Sequence, residues 1–450
     1  MNNLSRPLWQ RFLVFLVPLM LSNILQSLSG TINNIYIGQM IGVEALAAVS
    51  VFFPIMIFLI SFVIGLASGA AILIGQAWGA KNLLKIKQVT GTTLTVGFLM
   101  GLVVAVFGGL FAQNLMELLG APADIVAEAT AYGRIVLIGM PGFFLFLIIT
   151  STLRGVGDTV TPLLTLVFSI GVGLFVTPAL IQGWFGLPQI GVLAAAVAFI
   201  AGFVVVLVFL FFYLNYKKSP MAPDAELIRH LKVDFQLLGL ILKLGIPAGV
   251  AMVVSSISAI VIVGIVNRFG SEATAAYGAV NQVLSYVQFP AMSIGIAASI
   301  FAAQAIGARR FDEVEKVTRT ALLMNLIVTG ALVLIAYLFS QHLVRLFITD
   351  EAVVQVAERL LHIVLWSCLV FGWGSVFSAV MRASGDVWIP MALSLAAIIL
   401  VEVPAALTLS HFFGLEGVWW GYCLSFTALL TFQATYYLGW WRKKEITALV

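Results

Sequence analysis

Charge is what this chain has least of. Only 9% of its 450 residues are Asp, Glu, Lys or Arg, where a water-soluble domain carries about 25%. A hydrated surface cannot be assembled from so few charges, which excludes a soluble enzyme, a nucleic-acid binder and a disordered protein. Cysteine is also scarce. Cys368 and Cys423 lie in apolar stretches, too few for a disulfide framework and without metal-ligand spacing. They read as small buried hydrophobes. The four histidines, His230, His342, His362 and His411, form no His-x-x-x-His or Glu-x-x-His spacing, and neither a Gly-x-Ser-x-Gly nor a Walker sequence occurs. Nothing in the chain points to an enzyme.

What is present is apolar: 62% hydrophobic residues and a mean hydropathy of +1.10. A membrane-crossing helix needs about 20 mostly apolar residues. Such stretches fall near 12–37, 46–74, 89–112, 127–151, 160–182 and 190–214, then near 239–266, 274–303, 318–340, 353–380, 389–411 and 417–440. Twelve spans are expected, all helical, because long continuous runs are not the period-two alternation of a β-barrel. The first follows Arg6 and Arg11 but runs beyond the roughly 7–15 residues of a signal-peptide core, so it is expected to be retained. Placing the N-terminus, the even-numbered connections and the tail on one side collects 19 of the 23 Lys and Arg there, leaving Arg134, Arg268, Arg345 and Arg359 on the other. The positive-inside rule then puts both termini in the cytoplasm, in a multi-pass inner-membrane protein.

The two sets of six spans repeat one another. Gly75-Gln-Ala-Trp-Gly-Ala-Lys81 returns 228 residues later as Ala303-Gln-Ala-Ile-Gly-Ala-Arg309. At the same offset Gly42-Val-Glu-Ala-Leu-Ala-Ala48 matches Gly270-Ser-Glu-Ala-Thr-Ala-Ala276, and Arg154-Gly-Val-Gly-Asp158 matches Arg382-Ala-Ser-Gly-Asp386. Six spans is an even number, so this is a parallel repeat about an axis along the membrane normal, the design of transporters that open by rocking two lobes. The expected domains are a lobe at 1–214, a cytoplasmic linker at 215–238, a second lobe at 239–441 and a tail at 442–450. Arg154 with Asp158, and Arg382 with Asp386, are four apart and are expected to pair as structural hinges, with Gly157, Gly385, Pro162 and Pro390 shaping the turns.

The Gln-Ala-x-Gly-Ala-Lys/Arg and Arg-x-x-Gly-Asp-x-x-x-Pro motifs, each in two copies, resemble those of the multidrug and toxic compound extrusion (MATE) transporters. The resemblance covers nearly the whole chain. It implies a two-lobe antiporter that exchanges protons or sodium for bulky, often cationic amphipathic compounds, with no cofactor beyond the coupling ion, the bilayer and a small amphipathic substrate as its partners, no nucleic acid, and a monomer as its state. Positions where relatives carry carboxylates here hold Asn33, Thr177 and Ser255, and a fourth falls near Phe371.

An ionisable residue inside a membrane is costly and marks function. Of 19 acids only Glu402, in Leu400-Val-Glu-Val-Pro404, stands inside a span. It is the expected ion-coupling residue, beside a proline that frees a backbone carbonyl. Ser22, Gln26, Ser29 and Asn33 share one face of the first span, and Asn281, Ser285 and Gln288 one face of the eighth. Such amides and hydroxyls, with Gln282, Thr177 and Ser255, are expected to line a wet cavity. Tyr36, Phe53, Tyr277, Tyr286, Trp366 and Trp373 are aromatic candidates for a cationic substrate. A flippase for lipid-linked or other amphipathic metabolites, possible within the same superfamily and without ion coupling, is the competing reading. It would call for basic residues in the cleft, and none lies mid-span.

Overall fold

The computed structural model describes residues 5–450. Among these residues every regular element is a helix: α1 (Leu8–Met40), α2 (Val43–Gly79), α3 (Leu83–Leu118), α4 (Val126–Ile138), α5 (Met140–Gly155), α6 (Val160–Gln182), α7 (Leu193–Tyr216), α8 (Ala225–Arg229), α9 (Phe235–Asn267), α10 (Ser271–Gly307), α11 (Phe311–Met324), α12 (Gly330–Leu338), α13 (Ser340–Arg345), α14 (Glu351–Val364), α15 (Ser367–Ala383), α16 (Trp388–Ala396), α17 (Val403–Phe413) and α18 (Leu415–Gly439). Without water, a backbone must bond to itself, and a helix does so within one segment.

Among the described residues, nine helices or continuous helix runs are long and apolar enough to cross a membrane, and two bent pairs raise the number to eleven. The remaining expected span is α18. Its 25 residues include Trp419, Trp420, Tyr422, Tyr436 and Tyr437, which make it less apolar than an aliphatic span. The bent pairs are α4 with α5 (51°) and α14 with α15 (41°), at equivalent points of the two repeats. In the first, Pro141 at the start of α5 cannot continue the hydrogen bonding of α4. Two spans contain a π-helical turn, Asn325–Thr329 and Ala397–Glu402, a feature common at functional sites.

The chain divides into two compact units. Among the described residues, one holds 5–20, 75–81 and 250–450, and the other 21–74 and 82–249. The division falls inside α1 just past Pro18 and inside α9 just past Pro247. In the second unit the Gly65-Leu-Ala-Ser-Gly69 stretch of α2 meets Gly245 of α9 backbone to backbone, as small residues permit. Within the same unit, the connection after α7 is fastened to α3. Lys87 is hydrogen-bonded to Asp224 and lies 4.0 Å from Glu226, and Thr92 donates to the Lys232 carbonyl at 3.2 Å. Burial acts to raise the Asp224 pKa, but hydrogen bonds from Lys87 and from the backbone N–H groups of Leu227 and Glu226 outweigh it, and the carboxyl lies below its ordinary value.

Candidate ion and substrate sites

A cavity of about 230 Å³ lies in the unit formed by residues 21–74 and 82–249, between α1, α6 and α7. Its polar lining comes from Ser29, Asn33 and Tyr36 on α1, with Ser169 and Thr177 on α6. Spacings of four and three bring Ser29, Asn33 and Tyr36 onto one face of a helix. Phe199 and Phe203 of α7 supply apolar wall. Four of the expected residues, Ser29, Asn33, Tyr36 and Thr177, therefore meet at one space. Ser22 is buried and Gln26 is exposed, and neither lines it. No lining residue is charged.

Glu402 lies in the other unit, at the end of the π-helical turn, and is only 8% exposed. Ser258 on α9 donates to its Oε1 at 2.7 Å, and Ser425 on α18 donates to Oε2 at 3.1 Å. Ser425 also lies within bonding distance of the Ala397 carbonyl, at 3.2 Å. Pro404 has no N–H to give, so the backbone hydrogen-bond ladder is interrupted just after the π-helical turn. Three helical segments thus converge on one carboxyl group, with oxygen atoms from two hydroxyls and one backbone carbonyl close by. These could accompany Glu402 around a hard cation, whose ligands are oxygens.

An aromatic group stands beside this site in the same unit. Tyr422, one turn before Ser425, shares an O···O contact of 3.3 Å with Tyr277, and Tyr277 stacks on the fully buried Trp419 with ring centroids 5.3 Å apart. Of the other aromatic candidates, Trp373 gives its indole N–H to the Leu322 carbonyl at 3.1 Å, which is a packing bond. Trp366 is 41% exposed at the bend between α14 and α15, Tyr286 packs edge-on against Phe289, and Phe53 is exposed. None of the polar residues of the α10 stripe lines the cavity described above. Ser285 donates back to the Asn281 carbonyl at 2.8 Å, Gln282 is exposed, and Gln288 is half-buried. Ser255 is exposed, three residues from the Ser258 that does reach Glu402.

The expected Arg–Asp pairs do not form. Asp158 instead accepts from the backbone N–H (3.0 Å) and hydroxyl (2.6 Å) of Thr161, bonding the start of α6. Asp386 accepts from Tyr436 (2.8 Å) and Lys444 (2.9 Å). The reason is local. Spacing of four brings residues together only on a continuous helix, and here the helix ends between them, at Gly157 (φ 89°) and Gly385 (φ 93°). Arg154 and Arg382 are half-buried, each with a buried Nε that has no hydrogen-bond partner among the described residues.

These features belong to a polytopic membrane transporter, and the family can be stated. The MatE family matches residues 18–179 and 247–408, one match in each repeat, and the chain belongs to that family of MATE transporters. It is 46% identical over 449 residues to the "Probable multidrug resistance protein YoeA" of Bacillus subtilis, covering 99% of this chain and 97% of that one. It is 26% identical over 419 residues to the multidrug export protein MepA of Staphylococcus aureus, covering 92% of this chain and 90% of that one. A variant of the Vibrio cholerae MATE transporter VcmN has the same fold, with a TM-score of 0.89 at 21% identity over 97% of this chain and 98% of that one.

Proposed function

We propose that the chain is an ion-coupled secondary antiporter of the cytoplasmic membrane, with both termini inside, which exports bulky and often cationic amphipathic compounds by alternating access. The observation that carries this reading is Glu402, a carboxyl group enclosed by three helical segments with hydroxyl partners and, among the described residues, no basic one. A carboxylate buried without a counter-charge is unfavourable. The group therefore takes up a proton or a metal cation when it is enclosed and gives it up when it reaches water. Because Ser258, Glu402 and Ser425 sit on separate segments, that exchange changes what holds the segments together. This is the differential interaction that coupling needs.

The uncharged cavity lined by Asn33, Tyr36 and Thr177 is the proposed substrate site. Aromatic faces such as Tyr36 add about 0.5–2 kcal/mol of attraction for a cation. The names of the relatives, multidrug resistance and multidrug export proteins, support a broad amphipathic cargo. The test is ethidium efflux from proteoliposomes under a sodium gradient, a proton gradient or neither. Efflux that follows one gradient is expected and names the ion. Efflux unaffected by either would overturn the coupling, and no movement of any cationic dye would favour a lipid-like cargo instead.

A further inference from the structure

The ends of α2 and α10 cross more closely than side chains allow. A methyl on Gly79 would lie 1.9 Å from the Gln304 carbonyl oxygen, and one on Gly307 would lie 1.8 Å from that of Gln76. These four residues are equivalent pairs of the repeated motif, so the contact is reciprocal, and only glycine permits it. Gln76 is fully buried there, and both ends of its amide are bonded. Nε2 donates to the Ala383 carbonyl at 2.8 Å, and Oε1 accepts from the backbone N–H of Leu449 at 2.7 Å.

The second of those bonds comes from the segment after α18. Trp441, only 3% exposed, stacks on Tyr437 and donates its indole N–H to Ser384 at 3.2 Å. Lys444 donates to Asp386 at 2.9 Å, and Leu449 lies against Gly385. We propose that residues 441–450 form a latch that holds the α2–α10 crossing closed and must leave before that end of the bundle can open. The proposal rests on the alternating-access reading above. With the segment docked, the buried Gln76 oxygen is satisfied. Without it the closed crossing carries an unpaired acceptor, whereas an opened crossing exposes that oxygen to water. The segment therefore binds the closed form preferentially, and that preference shifts the equilibrium.

The first repeat contains a counterpart. Lys87 of α3 holds the segment after α7 through Asp224 and Glu226, and 228 residues later Glu315 of α11 pairs with Arg442 after α18 at 2.7 Å. The pairing is similar with its signs exchanged.

The test uses the full chain carrying Ala77→Cys, a reporter at a fully buried position of the crossing, in inside-out vesicles. The readout is its labelling rate by a membrane-impermeant maleimide. The parent chain serves as blank because Cys368 and Cys423 are buried. Deleting residues 446–450, or substituting Leu449→Pro to remove the N–H while keeping the segment, is expected to speed labelling roughly two- to ten-fold, the worth of one hydrogen bond. Lys443→Ala should leave it unchanged. Gly79→Val, which forces the crossing apart, is the positive control. Faster labelling with Gly79→Val but the parental rate in both latch variants would overturn the latch. The parental rate with Gly79→Val as well would mean that the crossing is not a gate, and the alternating-access reading would fail with it.

Discussion

In the first repeat the space between α1, α6 and α7 is a neutral cavity, whereas the corresponding space in the second, between α9, α17 and α18, is closed over a carboxyl group. The correspondence is residue by residue. Gly30 and Leu174 line the cavity, and 228 residues later stand Ser258 and Glu402. One ancestral design has thus been filled in two ways. Where glycine and leucine stand, one amide, three hydroxyls and a tyrosine line a cavity of about 230 Å³. Where serine and glutamate occupy the same places, they form a hydrogen-bonded clamp with Ser425. The difference suggests a division of labour in which one repeat takes the cargo and the other the ion.

The largest effect should come from removing the charge. Glu402→Gln keeps the volume and the ability to accept from Ser258, but it can neither ionise nor neutralise a cation. Gradient-driven efflux should fall to the level of protein-free liposomes while the purified variant stays monodisperse. The next step carries the comparison to the other repeat. Asn33→Leu should weaken substrate, raising the half-saturating concentration roughly two- to ten-fold for the loss of one hydrogen bond. The dependence on the gradient should remain, as read from initial efflux rates.

Smaller effects follow from the clamp itself. Ser258 makes the shorter, unshared bond and Ser425 the longer one, close to the Ala397 carbonyl as well. Ser258→Ala should therefore shift the ion concentration for half-maximal efflux more than Ser425→Ala does, and the reverse order would mean that Ser425 is the main partner. The smallest effect concerns the strap on α3. Asp224 has its pKa lowered from an ordinary 3.8, so its contribution is present above that value and is lost as pH falls through the lower, folded one. The carboxylate is half exposed and its worth is correspondingly small. Limited proteolysis between 217 and 234 should speed up at that acidity in the wild type, and should be fast and pH-independent in Lys87→Met.

Much of this was legible in the sequence because the membrane leaves few choices. Apolar length gives spans, and a motif returning at one offset gives two repeats. The single acid inside a span was visible for the same reason, and so were the residues of α1 that share a face. What holds the acid was not legible. Ser258 and Ser425 are hydroxyls on other helices, 144 and 23 residues away, and no local pattern singles them out from the many serines of the chain. The Arg–Asp pairs misled because spacing of four says nothing about whether the helix continues between the two residues. The glycines at 157 and 385 were the sign that it does not. The bend at Trp366 and the π-helical turn at Asn325–Thr329 have no proline to announce them, and Gln76 shows its role only when its partners from distant parts of the chain are in place.

The central claim is that ion and cargo are handled in different repeats. The most direct measurement is the initial rate of ethidium efflux against ethidium concentration, with and without the driving gradient, for wild type, Glu402→Gln and Asn33→Leu in the same liposomes. Dependence on the gradient should vanish only in Glu402→Gln, and the half-saturating concentration should rise in Asn33→Leu with that dependence intact. If Glu402→Gln still responds to the gradient as the wild type does, or if Asn33→Leu is the variant that loses the response, the division between the two repeats is contradicted.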